Sequence, residues 1–288
     1  YQTKGLTSDR NPLDVDAKFN FFNPKAGLIY KIAPQNSVYL SYARANREAN
    51  RNDFENGISS PEILDDIELG WRYRSDQIQL NTNIYYMSYK NQLVLTGAID
   101  DVGAPIRATS GKSYRLGLEI DADIKLNDQF SIKSNAAFST NKNEDFTAPI
   151  NGNLLNLGNT PLSFSPNVIV GNILVYQPIK NLQISFLSKY VGKQFMSNLN
   201  SNVSKLDVLD SYFTSDLNFV YEIATKKVFD AIIISGIINN IFDTEYVDRG
   251  YYYTYDYPDG NGNTITGDGA GYYPQATRNF LVGVTLKF

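Results

Sequence analysis

From Phe280 to Phe288 the even positions are Phe280, Val282, Val284, Leu286 and Phe288, and the odd ones between them are Leu281, Gly283, Thr285 and Lys287. A period of two marks a β-strand, whose successive side chains point to opposite faces. One face is wholly apolar, and the strand ends on an aromatic held in structure. Two settings fit such a strand: the edge of a soluble β-sandwich, or a lipid-facing strand that closes an outer-membrane barrel.

The alternation recurs along the chain. Residues 26–32 and 37–44 read as a hairpin around Ala33-Pro34-Gln35-Asn36, with Val38, Leu40 and Tyr42 on one face. Ile67, Leu69, Trp71 and Tyr73 alternate with Glu68, Gly70 and Arg72; after a turn, Ile78, Leu80, Thr82, Ile84 and Tyr86 alternate with Gln77, Gln79, Asn81 and Asn83. Tyr114, Leu116, Leu118, Ile120 and Ala122 set against Arg115, Glu119, Asp121 and Asp123 form another strand, turning at Asn127-Asp128 into 130–138. Further pairs lie at about 167–176 and 181–192, and at about 211–221 and 228–241, around turns at Pro178 and at 222–227. Residues 1–22 carry too little regularity for more than a loop leading into a strand.

These eleven predicted strands are joined by connections that go short, long, short, long, with long segments at 45–64, 97–112, 141–166, 193–210 and 243–275. Greek-key crossings in a sandwich have no reason to produce that order. An up-and-down barrel across a membrane does, since its turns are short on the periplasmic side and its loops long outside. Aromatics on the apolar face fall near the short turns (Tyr30, Tyr73, Phe130, Tyr176, Tyr221, Phe288) and near the long loops (Tyr42, Tyr86, Tyr114, Phe138, Tyr190), as two interfacial girdles would. Glu68, Arg72, Arg115, Glu119, Asp121, Lys133 and Lys189 occupy the other face, and each would cost a few kcal/mol at the bilayer midplane if it faced lipid. They must face a wet lumen or a polar plug. An open array of strands in hydrocarbon leaves two unpaired edges, so an odd count of eleven is expected to be part of a larger closed barrel.

Composition adds exclusions. Tyr (21) and Phe (16) are abundant, as strands favour. The longest apolar stretch, residues 231–238, already contains Ser and Gly, which excludes a membrane-spanning helix. With no Cys there are no disulfides or thiolate sites, and with no His the commonest general base and neutral metal ligand are missing. No catalytic residue, metal site or cofactor is expected. A net charge of −4 with scattered basic residues argues against a nucleic-acid footprint. The chain opens on Tyr1 without a basic-then-apolar leader, so any signal peptide is expected upstream or removed.

The segments FNPKAGLIYKI (21–32), VYLSYARANREANRND (38–53), PEILDDIELGWRY (61–73), SYRLGLEID (113–121), INNIFDTEY (238–246) and YPQATRNFLVGVTLKF (273–288) resemble, in order and spacing, the C-terminal half of a TonB-dependent outer-membrane receptor. The likeness is to the ferric citrate and siderophore branch, of a Bacteroidetes type. The resemblance implies an all-β barrel of 22 strands in the outer membrane of a Gram-negative bacterium, of which residues 1–288 would be the C-terminal part. It also implies a plug domain and a TonB box, neither of them in this sequence. It further implies binding of a ferric chelate outside, import driven by the TonB complex, contact with outer-membrane lipid and lipopolysaccharide, and Phe288 as the mark read by the barrel assembly machinery. A glycan or peptide importer working with a surface lipoprotein, a passive porin or adhesin-type barrel, and an outer-membrane hydrolase are the rival readings; the absence of His speaks against the last.

Two groups are candidates for the ligand. The segment 243–275 holds Arg249, Tyr251, Tyr252, Tyr253, Tyr255, Tyr257, Tyr272 and Tyr273, and tyrosine offers a flat apolar body with one hydroxyl at low entropic cost. Packing of these rings on each other and on neighbouring loops is the alternative. Arg44, Arg47 and Arg51 could grip an anionic chelate with guanidinium forks, or could be solvated or lipopolysaccharide-facing charges. The ladder Arg115, Glu119, Asp121, Asp123 is read as lumen lining rather than as a metal or catalytic cluster.

Overall fold

A computed structural model describes residues 2–7, 11–55, 57–99, 105–199, 204–225, 228 and 230–288. Eleven strands form one antiparallel sheet in strict sequence order. They are β1 (Lys25–Ala33), β2 (Asn36–Arg47), β3 (Glu62–Arg74), β4 (Ile78–Lys90), β5 (Lys112–Lys125), β6 (Phe130–Glu144), β7 (Val168–Ile179), β8 (Leu182–Val191), β9 (Tyr212–Ala224), β10 (Ala231–Asn239) and β11 (Asn279–Lys287). Each pairs with its neighbours in the chain, and β1 and β11 are the free edges. All eleven predicted strands are present, several longer at the loop end than periodicity alone indicates; β10 begins at Ala231, three residues after its expected start. Tyr1, residues 8–10, residue 229 and parts of four expected connections (56, 100–104, 200–203 and 226–227) lie outside the described residues.

Register explains why the alternation matters. Leu28, Leu40, Leu69, Ile84, Leu118, Phe138 and Val168 stand opposite one another in succession, an unbroken apolar row over seven strands. Ile124, Ile132, Leu174, Phe186, Leu217, Ile238 and Phe280 continue the belt to the last strand. On the opposite face Ser37, Arg72, Asn81, Asp121, Asn135, Gly171, Lys189 and Thr214 form an equally continuous polar row. A one-residue slip anywhere would exchange the two chemistries, so the burial preference of each face pins the register. Leu28, Leu69, Val282 and Phe280 are 71%, 51%, 69% and 76% exposed, which only a surrounding of lipid makes tolerable. Aromatic rings mark the limits of the belt: Phe130 and Tyr176 stack at 4.5 Å beside the short turns, and Tyr86 and Tyr114 lie 6.3 Å apart beside the loops.

The short turns are closed by their own side chains. Asn127 Oδ1 accepts the amides of Gln129 and Phe130 at 2.8 and 2.9 Å, and Ser75 exchanges hydrogen bonds with Ile78. The long connections are folded rather than free. Residues 91–111 carry a ribbon (Leu93–Ile99 with Pro105–Thr109) that joins the ribbon Val247–Pro258 with Thr264–Pro274 in a four-stranded sheet. A short helix, α1 (Arg51–Glu55), starts on a reciprocal cap in which Asn50 Oδ1 accepts the Asp53 amide and Asp53 Oδ2 accepts that of Asn50. Residues 1–22, read from sequence as loop, contain a ribbon of Gln2–Leu6 and Pro12–Asp16 bridged by Lys4 and Asp14; its strands of five residues are too short to show a clear period.

Candidate functional site

The loop end of the sheet holds the molecule's enclosed core. Val94, Phe146, Ala148, Leu162 and Leu199, drawn from three loops, are all under 10% exposed and pack with Leu157 and Tyr252. Beneath them runs an amide network. Asn143 Nδ2 donates to Thr160 Oγ1, the Pro161 carbonyl and Asn198 Oδ1; the Asn198 amide donates to the Leu95 carbonyl and accepts the Ser163 amide. Asn143 and Asn198 are fully buried, so each bond replaces water that the site excludes. A tip contact, Asn151 with Thr266 through two hydrogen bonds of 2.7 and 2.8 Å, ties the loop after β6 to the last loop.

The tyrosine-rich ribbon follows from its sequence. Tyr251, Tyr253 and Tyr255 lie opposite Gly271, Gly269 and Gly267. Each ring lies on its glycine, where a Cβ would come within 2.4 to 2.8 Å of the aromatic carbons. The rings also meet each other, Tyr251 to Tyr253, Tyr253 to Tyr255 and Tyr255 to Tyr257, at 5.9 to 6.3 Å. With Arg249 and Tyr273 they cover one face of the ribbon, while Tyr252 on the other face packs into the loop core. The rings order the loop, as the packing alternative expects, and Tyr251, Tyr255 and Tyr257 remain about half exposed.

The three arginines do not converge. Arg44 points to the outward face of β2, in a two-pronged pair with Asp65 at 2.7 and 2.8 Å that Tyr42 supports. Arg47 pairs with Glu62 and Asp53, and Arg51 with Glu55 and the Leu6 carbonyl. Arg249 pairs with the neighbouring Asp248, at 3.2 Å. Each guanidinium of the first group is thus held by carboxylates of this chain.

A cleft that periodicity does not reveal opens where the loop after β8 meets the last loop. About 700 Å³ in volume, it is lined by Lys193, Lys205, Asp210, Tyr212, Glu245, Tyr246 and Tyr272 among others. Tyr212 continues the inner face of β9 and stacks on Tyr246 at 4.5 Å; Tyr272 is fixed by a 2.5 Å hydrogen bond to the Leu206 carbonyl. The cleft joins segments over 30 residues apart in sequence; Glu245 and Tyr246 lie inside INNIFDTEY and Tyr272 in the tyrosine-rich segment, while nothing periodic marks the other lining residues.

Behind it, Asp207 is fully buried, with the Ser197 hydroxyl donating to Oδ2 at 2.6 Å and no partner for Oδ1 among the described residues. Burial pushes this carboxyl up, and the Ser197 hydrogen bond opposes the shift. Burial likewise raises Tyr252 well above the ordinary phenol range. A carboxyl raised on folding favours the protonated form, so its contribution is complete below the ordinary value of about 3.9 and is lost as pH rises through the raised pKa. Asp207→Asn is expected to remove that dependence: hydrogen exchange of residues 194–199 quickens with rising pH, beyond intrinsic chemistry, in the parent and not in the variant.

Residues 1–241 match the family described as "TonB dependent receptor-like, beta-barrel". The chain is 24% identical over 257 residues to the ferrioxamine receptor of Yersinia enterocolitica, covering 89% of this chain and 34% of that receptor. Among solved structures it is similar to the siderophore receptor PiuA of Acinetobacter baumannii (TM-score 0.69, 16% identity, 97% of this chain and 38% of that one). It is also similar to the unliganded ferric citrate transporter FecA (TM-score 0.66, 19% identity, 92% and 38%). The chain thus spans about a third of the length of the curated relative it matches. Its family's barrels lie in the outer membrane of Gram-negative bacteria, with turns toward the periplasm and loops outside. The match over 1–241, the ordered sheet of eleven strands and its two contrasting faces agree: this chain belongs to the β-barrels of TonB-dependent receptors.

Proposed function

We propose that residues 1–288 form the C-terminal part of the barrel of a receptor that binds a ferric chelate among its outer loops and imports it with energy from the TonB complex. The observation that carries this reading is the folding of four long loops into one joined cap over a polar inner wall. A passive pore needs no such cap, and a chain without His or Cys offers little for catalysis. The edges at β1 and β11 would pair with strands from the rest of the receptor, because unpaired backbone in hydrocarbon costs several kcal/mol per group. A plug would rest on the inner wall, where Glu68, Glu119 and Asp121 have no ion pair among the described residues. Lipopolysaccharide would surround the outer belt, and Phe288 would present the terminus read by the barrel assembly machinery.

The chelate would meet the exposed tyrosine ladder with Arg249, and the cleft of Lys193, Lys205, Tyr212 and Tyr246, whose aromatic walls suit a flat ligand and whose ammonium groups suit its charge. Truncating Tyr246 to Ala in the intact receptor is expected to weaken chelate binding by about thirtyfold, the size of a 2 kcal/mol hot spot. Uptake of a labelled ferric siderophore, measured with and without TonB, tests the whole reading. Saturable uptake that disappears without TonB supports it; growth that depends instead on a polysaccharide or peptide, with no ferric uptake, overturns it in favour of a nutrient importer.

A further inference from the structure

We infer that Asn172 marks a contact between two copies of this barrel inside the membrane, formed by the outward faces of β6, β7 and β8 about a two-fold axis normal to the bilayer. This rests on the outer-membrane placement above and is independent of what the receptor carries.

On β7 the outward phase reads Val168, Val170, Asn172, Leu174 and Tyr176, so a carboxamide interrupts the apolar belt four residues from either end. Tyr176 stacks on Phe130 at the turn side, and Tyr190, opposite Val170, lies at the loop side. Asn172 therefore sits at mid-depth, between the two aromatic bands and away from headgroups and water. Ser134 and Ser188 stand directly opposite it on the two neighbouring strands. The Ser134 hydroxyl donates to Asn172 Oδ1 at 2.7 Å, which satisfies the serine. Thr82, another polar side chain on this face, donates to the Trp71 carbonyl at 3.4 Å. Asn172 is left short: Oδ1 keeps a second lone pair, and Nδ2 has no acceptor among the described residues. Hydrocarbon meets neither need, and an unmet polar group at this depth is costly.

Depth identifies the partner. Whatever satisfies the amide must present both a donor and an acceptor at the middle of the bilayer. A two-fold axis normal to the membrane returns every residue to its own depth, so a second copy brings Asn172 itself, and the two carboxamides exchange N–H···O bonds reciprocally. The surroundings suit close approach. Ser134, Ser188, Ala122 and Ala136 on the adjoining strands are small, and small side chains let membrane-spanning elements come together around polar contacts. Ser215, next in the row after Ser188, is buried and adds no surface. The patch also stays free in a closed barrel, because further strands join at β1 and β11, at least three strands away.

Two measurements on the intact receptor test this. Sedimentation equilibrium in density-matched detergent reads self-association. The parent is expected to show a monomer–dimer equilibrium, and Asn172→Leu to raise its Kd about thirtyfold, the loss of two amide bonds between membrane-embedded elements. Leucine suits the lipid face, so the variant assembles. Asn172→Gln, which keeps the carboxamide, and Thr82→Val should associate as the parent does. In native outer membranes with added oxidant, Asn172→Cys is expected to give a disulfide-linked dimer that the parent lacks, and Ile84→Cys, three strands away on the same face, is not. Equal association of the parent and Asn172→Leu, or cross-linking at 84 as strong as at 172, would overturn the inference. A different membrane protein that accompanies the parent and is lost from Asn172→Leu, in place of a dimer, would overturn the second copy in favour of an unlike partner.

Discussion

Leu69→Arg is expected to keep the barrel from reaching its folded state in the membrane, while Arg placed at the adjacent lumen position, Glu68→Arg, is expected to assemble. Leu69 faces outward between Leu40 and Ile84, midway between the two aromatic bands. An arginine at the bilayer midplane costs about 2 to 4 kcal/mol, a large part of the 5 to 15 kcal/mol that typically separates folded from unfolded protein. Glu68 lies on the polar wall, with the Ser41 hydroxyl donating to it at 3.3 Å, and a new cation there stays wet. The same contrast should hold on the last strand between Val284→Arg and Thr285→Arg, since Val284 faces Ile234 and Thr285 faces Ile233 on opposite sides of the sheet. Heat-modifiable mobility of the receptor in outer-membrane fractions reads the result. Equal assembly of both members of a pair would contradict the assignment of faces.

The second large effect lies in the loops. Asn198→Ala is expected to release the cap while leaving the barrel intact. Its amide joins Asn143, the Leu95 carbonyl and the Ser163 amide at one fully buried point. Removing it takes the named partner from the Leu95 carbonyl and the Ser163 amide, at about 1 to 3 kcal/mol each, while Asn143 keeps Thr160 and Pro161. Hydrogen exchange should quicken in residues 93–95 and 160–163, with β3 to β6 unchanged, and chelate binding should weaken with the loss of the cap. Unaltered exchange in those loops would mean that the network does not hold them.

The barrel strands were legible because each repeats one simple constraint, lipid on one side and water on the other. Leu28 to Val168 can be placed on a single row from alternation alone. The ligand end was not legible in the same way. Asn143, at the loop end of β6, and Asn198 meet across 55 residues, and nothing periodic announces a contact between a strand end and an irregular loop. Arg44 is legible in both respects: its charge suits an anion, and its phase on β2, in step with Tyr42 and Leu40, sets it on the outward face. The tyrosines of the last loop occupy both faces of their ribbon, Tyr252 packed into the loop core and Tyr251, Tyr253, Tyr255 and Tyr257 on the other side. Its glycines, at alternate positions facing the rings, were in plain view as Gly267, Gly269 and Gly271.

The facing of β11 underlies both the barrel and the placement of the loops, and β11 itself carries no cysteine to interfere with labelling. Single cysteines introduced from 280 to 287 in the intact receptor can be spin-labelled and probed with a lipid-soluble and a water-soluble relaxant. Labels at 280, 282, 284 and 286 should respond to the lipid-soluble probe, and those at 281, 283, 285 and 287 to the aqueous one. A uniform response along the strand, or an alternation of opposite phase, would contradict it.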